Sequence, residues 1–270
     1  MRQVIARREV IVSAGAIDSP KLLMLSGIGD AAQLKAHGIA VRSALAGVGA
    51  HLCDHPTASL FLQVRQPDPP PPPTNYAEAG LFMRSTRCEK EFAADIQFHV
   101  NPFGPPWAAV DGRVRGLVMT ALVCRPESRG RVTLRSADAM DPPIIDPGYM
   151  THPADMAVQV EGLRAARQIA AAMPLKADIL QERSPGLACA DDAAFARHVR
   201  MTGDCMWHPV GTCRMGLEPD AVVDAQLRVH GVRGLRVVDA SVMPQITSAN
   251  TNAPTIMIAE KASDMILSAH

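Results

Sequence analysis

The sequence predicts an α/β domain split by an α+β insert. Residues 1–56 and 206–270 form one discontinuous domain, and residues 57–205 form a second, built on a largely antiparallel sheet. Three observations lead there. Short β-branched runs beside helical stretches open and close the chain, as buried parallel strands do. Between Leu60 and Arg135 the strand-like runs are instead separated by Pro/Gly-rich turns, which favours antiparallel pairing. The length of 270 residues leaves room for one large domain or two ordinary ones.

Glu9–Ala14 (EVIVSA) is the first strand, ending at Gly15. Ser19-Pro20 offers an N-cap with proline at the first helical position, and Lys21–Leu25 continues as helix. Ser26-Gly27-Ile28-Gly29 stops it, Asp30–His37 forms a second short helix closed by Gly38, and Ile39–Ala44 is a short strand. In the insert, Leu60–Val64, Glu78–Arg84, Asp95–Val100, Gly116–Arg125 and Arg131–Arg135 read as strands. Pro69–Pro73 must be extended polyproline II. Asp138–Asp146 is a proline-broken crossing. Pro153–Ala172 is an amphipathic helix with Met156, Val160, Leu163, Ala166 and Ala170 near one face. A shorter helix, Ala190–Met201, starts at Asp191-Asp192, where negative charge suits a helix N-terminus. Strands at Leu227–His230 and Leu235–Val238 and a terminal helix over 254–268 restore the α/β pattern.

Lys+Arg and Asp+Glu both number 27, so no basic excess exists to bind a phosphate backbone, and nucleic acid is not expected as a partner. The six cysteines are scattered with no Cys-x-x-Cys, which fits reduced thiols of a cytoplasmic protein. No apolar run approaches the ~20 residues that a membrane span needs, and the N-terminus lacks the apolar core of a signal peptide.

Two clusters invite other chemistry. Gly27-Ile28-Gly29 resembles a fragment of a dinucleotide fingerprint, but Ser19-Pro20 marks the preceding run as helix, and glycines acting as helix stops explain the pattern better. His51-Leu52-Cys53-Asp54-His55 crowds metal-ligand types together without a second cluster or a fixed helical face, so no metal is expected there.

Gly15–Gly29 (GAIDSPKLLMLSGIG) closely resembles the second signature of the glucose–methanol–choline (GMC) flavoprotein oxidoreductases. Further matches are Gly47-Val48-Gly49 to Asp54-His55-Pro56, Arg125-Pro126 to Val132, and Asp141-Pro142-Pro143 to Pro147. Trp207–Gly216 (WHPVGTCRMG), Val237–Pro244 (VVDASVMP) and Asn250–Thr255 (NTNAPT) complete the set, in the family's order. Members of this family begin with a strand–GxGxxG–helix unit that holds the FAD diphosphate. That unit is missing here, so the resemblance implies the C-terminal half of such an enzyme, with an N-terminal half absent.

The resemblance implies FAD as cofactor and a small-molecule alcohol as substrate, oxidised to the aldehyde by hydride transfer to the flavin. It makes His208 catalytic, and histidine suits the task because a base of near-neutral pKa must take the hydroxyl proton. The second catalytic position falls on Asn250, whose amide can donate to the substrate oxygen without titrating. Trp207 would wall the site. Asn252, Ala253, Pro254 and Thr255 would present a helix N-terminus to the cofactor, and Asp239-Ala240 would lie against it at a strand end. Met257, Ile258 and Met265 are expected in the core. Two other readings remain open: a non-enzymatic fragment unable to hold FAD alone, and a lyase using the same pocket. The electron acceptor is not legible.

Overall fold

The computed structural model describes residues 4–65, 77, 79–102 and 116–268. The proline run Pro69–Pro73 and Glu78 lie outside them. The first elements are β1 (Val10–Val12), α1 (Gly15–Leu25), β2 (Ile28–Gly29), α2 (Ala31–Ala36) and β3 (Ser43–Ala44). Next come β4 (Pro56–Val64), β5 (Ala79–Met83), β6 (Ile96–Asn101), β7 (Leu117–Val123), β8 (Arg131–Thr133) and β9 (Ile144–Asp146). Then follow α3 (Pro153–Ala170), α4 (Leu175–Asp178), β10 (Ile179–Ser184), α5 (Asp192–Thr202), β11 (Asp204–Cys205), β12 (Leu235–Val237) and α6 (Asn252–Ser268).

The chain forms two units. One comprises residues 1–54, 128–151 and 207–270, and the other 55–127 and 152–206. The sequence reading kept 57–205 in one piece, whereas the structure places 128–151 in the first unit. Backbone pairing explains the difference. Gly130 and Leu52 exchange hydrogen bonds at 2.8 and 3.0 Å, and Val132 N–H donates to Gly49 O at 2.7 Å. A Cβ on Gly130 would sit 2.1 Å from Asp146 O, so only glycine permits this approach.

In the first unit β1 pairs in parallel with β12, and β2 in parallel with β3. Around them packs a core that includes Leu23, Met24, Leu34, Val48, Val210, Val222, Val237, Val242 and Ile258. Helix α1 starts at Gly15, so Ser19 and Pro20 lie inside it and do not open it. The local chemistry shows why this is tolerated. Pro20 has no N–H for the Ala16 carbonyl, and the buried Thr212 hydroxyl donates to that oxygen at 2.6 Å. Ser19 accepts the Ala14 N–H at 2.9 Å. Thr212→Val keeps the shape and removes the donor, so it should cost about 1–3 kcal/mol, read as a lower urea midpoint. Gly27 (φ 83°) ends α1, and a Cβ there would lie 2.3 Å from Ala40 O. Asp30 caps α2 by accepting Gln33 N–H.

In the second unit six strands form an antiparallel sheet in the order β10-β4-β7-β6-β5, with β11 also paired to β4. Helix α3 covers the face that carries Ala121 and Ile96. Its Gly162 admits the Ala121 methyl, and Gln159 donates to Ala121 O at 3.0 Å. Arg167 ties α3 to its neighbours: its guanidinium bonds both Glu182 oxygens and Cys189 O, and stacks 4.6 Å over Phe195. Strand β10 was not expected. Among the described residues no helix is long and apolar enough to cross a membrane.

Candidate active site

The segment after Met206 is sewn into the first unit from two sides. Cys53 and Val210 exchange backbone hydrogen bonds at 2.9 and 3.0 Å, and Gly49 N–H donates to Thr212 O. On the other side Cys213 N–H donates to Ser241 O, and Met215 N–H to Val242 O. Gly211 (φ 90°) permits the crossing, since a Cβ would sit 2.4 Å from His51 O. Trp207 adopts a left-handed φ of 53° just before His208.

This framework brings His208 and Asn250 together. Asn250 Nδ2 lies 3.4 Å from His208 Nε2, although the residues are 42 apart in sequence. His208 is half-buried and Asn250 exposed. Burial pushes the imidazole below its ordinary 6.5, and the negative charge of Asp54 partly opposes that shift. The ring is therefore neutral at neutral pH, with a nitrogen able to accept a proton. At 3.4 Å the contact between amide and ring is long for a hydrogen bond, so a hydroxyl can donate to Nε2 while accepting from Nδ2.

The other expected site residues fall in three places. Asn252 and Ala253 open α6 and are exposed, while Pro254 and Thr255 are half-buried in its first turn. At the start of this 17-residue helix Thr255 N–H is taken by Thr251 O at 3.0 Å and Pro254 has no N–H, so Asn252 and Ala253 carry the donors that face out at its electropositive end. Pro254 is the third helical residue, not the first. Asp239 is buried and turns its carboxylate inward: Oδ2 accepts Gly15 N–H at 3.0 Å and the Ser19 hydroxyl at 2.5 Å, and Oδ1 accepts Ser241 N–H at 2.8 Å. Ala240, half-buried, begins a short 3-10 turn over Ala240–Val242. Trp207 is 76 % exposed. Of the residues expected in the core, Ile258 is buried in line with Ala262, while Met257, about 100° round the helix, is 58 % exposed.

Sequence reasoning passed over Asp54 and Tyr149. Asp54 was weighed only within the His51–His55 cluster, whose members in fact go separate ways. His51 bonds Asp220 at 2.6 Å, Asp54 accepts the Tyr149 hydroxyl and His208 N–H, and His55 bonds Cys124 O. Among the described residues no group of three or more His, Cys, Asp or Glu could hold a metal ion.

A neutral imidazole beside a carboxamide, next to a helix N-terminus in an α/β unit, is an arrangement that can accept a proton from a polar group. The family comparison makes this more specific. The N-terminal GMC oxidoreductase model matches residues 1–57 and the C-terminal GMC oxidoreductase model residues 126–259. The chain belongs to the GMC oxidoreductase family. It is 39 % identical over 286 residues to an alcohol dehydrogenase [acceptor] of Pseudomonas putida, covering 96 % of this chain and 51 % of that protein. It is 41 % identical to the choline oxidase of Arthrobacter globiformis, covering 98 % and 49 %. The fold matches pyridoxine 4-oxidase from Mesorbium loti with a TM-score of 0.89 at 30 % identity, over 97 % of this chain and 52 % of that one. Formate oxidase of Aspergillus oryzae matches with a TM-score of 0.87 at 26 % identity, over 98 % and 55 %. The chain thus spans about half the length of the relatives it matches.

Proposed function

We propose that these residues form the C-terminal part of a FAD-dependent oxidoreductase acting on CH–OH groups, with His208 and Asn250 as its catalytic pair. The observation that carries the reading is the 3.4 Å approach of His208 Nε2 to Asn250 Nδ2. His208 takes the hydroxyl proton at Nε2, and burial keeps that nitrogen unprotonated beforehand. Asn250 donates to the same oxygen as its negative charge develops. Bound FAD supplies the acceptor for the hydride.

The residues present fit that cofactor. The open first turn of α6, at Asn252 and Ala253, offers backbone donors to an electron-rich ring edge, with Pro254 and Thr255 completing the turn. Asp239 serves this edge indirectly, since its side chain is spent on α1 and the turn at Ala240. Residues 1–54, 128–151 and 207–270 are the FAD-binding part, and 55–127 with 152–206 the substrate-binding part. The substrate is a small alcohol, and among the described residues the six cysteines form no disulfide, which supports a reducing, cytoplasmic setting.

Purifying the polypeptide that carries these residues, loading it with FAD and recording its absorbance tests the reading. Stoichiometric flavin that bleaches with a primary alcohol in the absence of oxygen is expected. Flavin that is held yet stays oxidised with every alcohol tried would point to a lyase instead.

A further inference from the structure

Asp54, Tyr149 and His208 come from the three separate segments of the first unit. Asp54 is only 7 % exposed, and a carboxylate so placed needs hydrogen-bond partners. Oδ2 accepts the Tyr149 hydroxyl at 2.8 Å, and Oδ1 accepts the His208 backbone N–H at 2.8 Å. Asp54 thus holds the main chain of the histidine, while Asn250, a neutral group, faces the ring. The charged side chain whose field acts on the ring is Asp54.

We propose that Asp54, braced by Tyr149, is a positioning residue for His208: it fixes the backbone from which the imidazole reaches Asn250, and it supplies the negative charge that the ring needs once it holds a proton. The inference rests on His208 being the base. Burial lowers the basicity of the ring, and a nearby opposite charge opposes that loss. The Tyr149 hydroxyl keeps the carboxylate from swinging away, because a buried oxygen that loses its donor must find another.

The test is a proton NMR titration of the His208 ring in the full chain, with the resonance assigned by its loss in His208→Gln. Asp54→Asn should lower the midpoint by about one pH unit. Tyr149→Phe, which keeps the charge but frees the carboxylate, should lower the midpoint by less than Asp54→Asn does, and a midpoint that rises overturns the bracing role. A purely structural role predicts the opposite for Asp54→Asn, since loosening the loop hydrates the ring and raises the midpoint. An Asp54→Asn midpoint that stays or rises overturns the proposal. Should that variant fail to fold, Asp54→Ser decides: it removes the charge but keeps an oxygen to accept the His208 N–H, it should also lower the midpoint, and a midpoint that stays or rises overturns the proposal. The titration needs no turnover. It therefore stands apart from flavin reduction by His208→Ala, which judges the catalytic role alone.

Discussion

Replacing His208 by alanine should slow flavin reduction by alcohol about 10²- to 10⁴-fold while leaving FAD bound, the range expected when a positioned base is lost. Anaerobic stopped-flow bleaching of the flavin at saturating substrate measures it. The parent should also lose rate on the acid side, with an apparent pKa below 6.5, because burial lowers the His208 value. That limb should vanish in the alanine variant. The same shift acts on stability. The folded ring binds fewer protons than the unfolded one, so its contribution is present above the unfolded pKa and is lost as pH falls through the folded value. A variant as fast as the parent would remove His208 from the chemistry and leave only its place in the loop.

The contrast between Asn250 and Asp54 shows what a sequence can disclose. His208 and Asn250 lie 42 residues apart, and no periodicity links them. Their approach could be expected because WHPVGTCRMG and NTNAPT resemble segments in which the family resemblance implies a catalytic pair. Asp54 meets His208 across 154 residues and Tyr149 across 95, through contacts that depend on how three segments thread one unit. Local pattern carries no trace of such threading. Helix α3 was legible to within two residues of the expected Ala172, because its buried stripe from Asp155 to Ala170 is periodic in the sequence. Strand β10 (ILQERS) went unseen because it alternates poorly and pairs as an edge of the sheet, where burial imposes little pattern. The 128–151 segment looks like more antiparallel strand, and only its bonds to Leu52 and Gly49 reveal its unit.

Asp239→Ala should lower stability by about 3–5 kcal/mol. Three donors converge on its carboxylate: Gly15 N–H at the start of α1, the Ser19 hydroxyl and Ser241 N–H. Ser19 is fully buried, so truncation strands its hydroxyl away from water as well as leaving a void. The negative charge also faces the positive end of α1 and is lost with the side chain. Asp239→Asn separates these contributions. Its amide preserves the volume but can accept on one side only, so it should lose roughly half as much. Urea denaturation followed by far-UV circular dichroism would read both variants. An alanine variant that unfolds at the parent's urea midpoint would mean that these bonds add nothing net to the fold. Asp239 then would be free to owe its place to the cofactor alone.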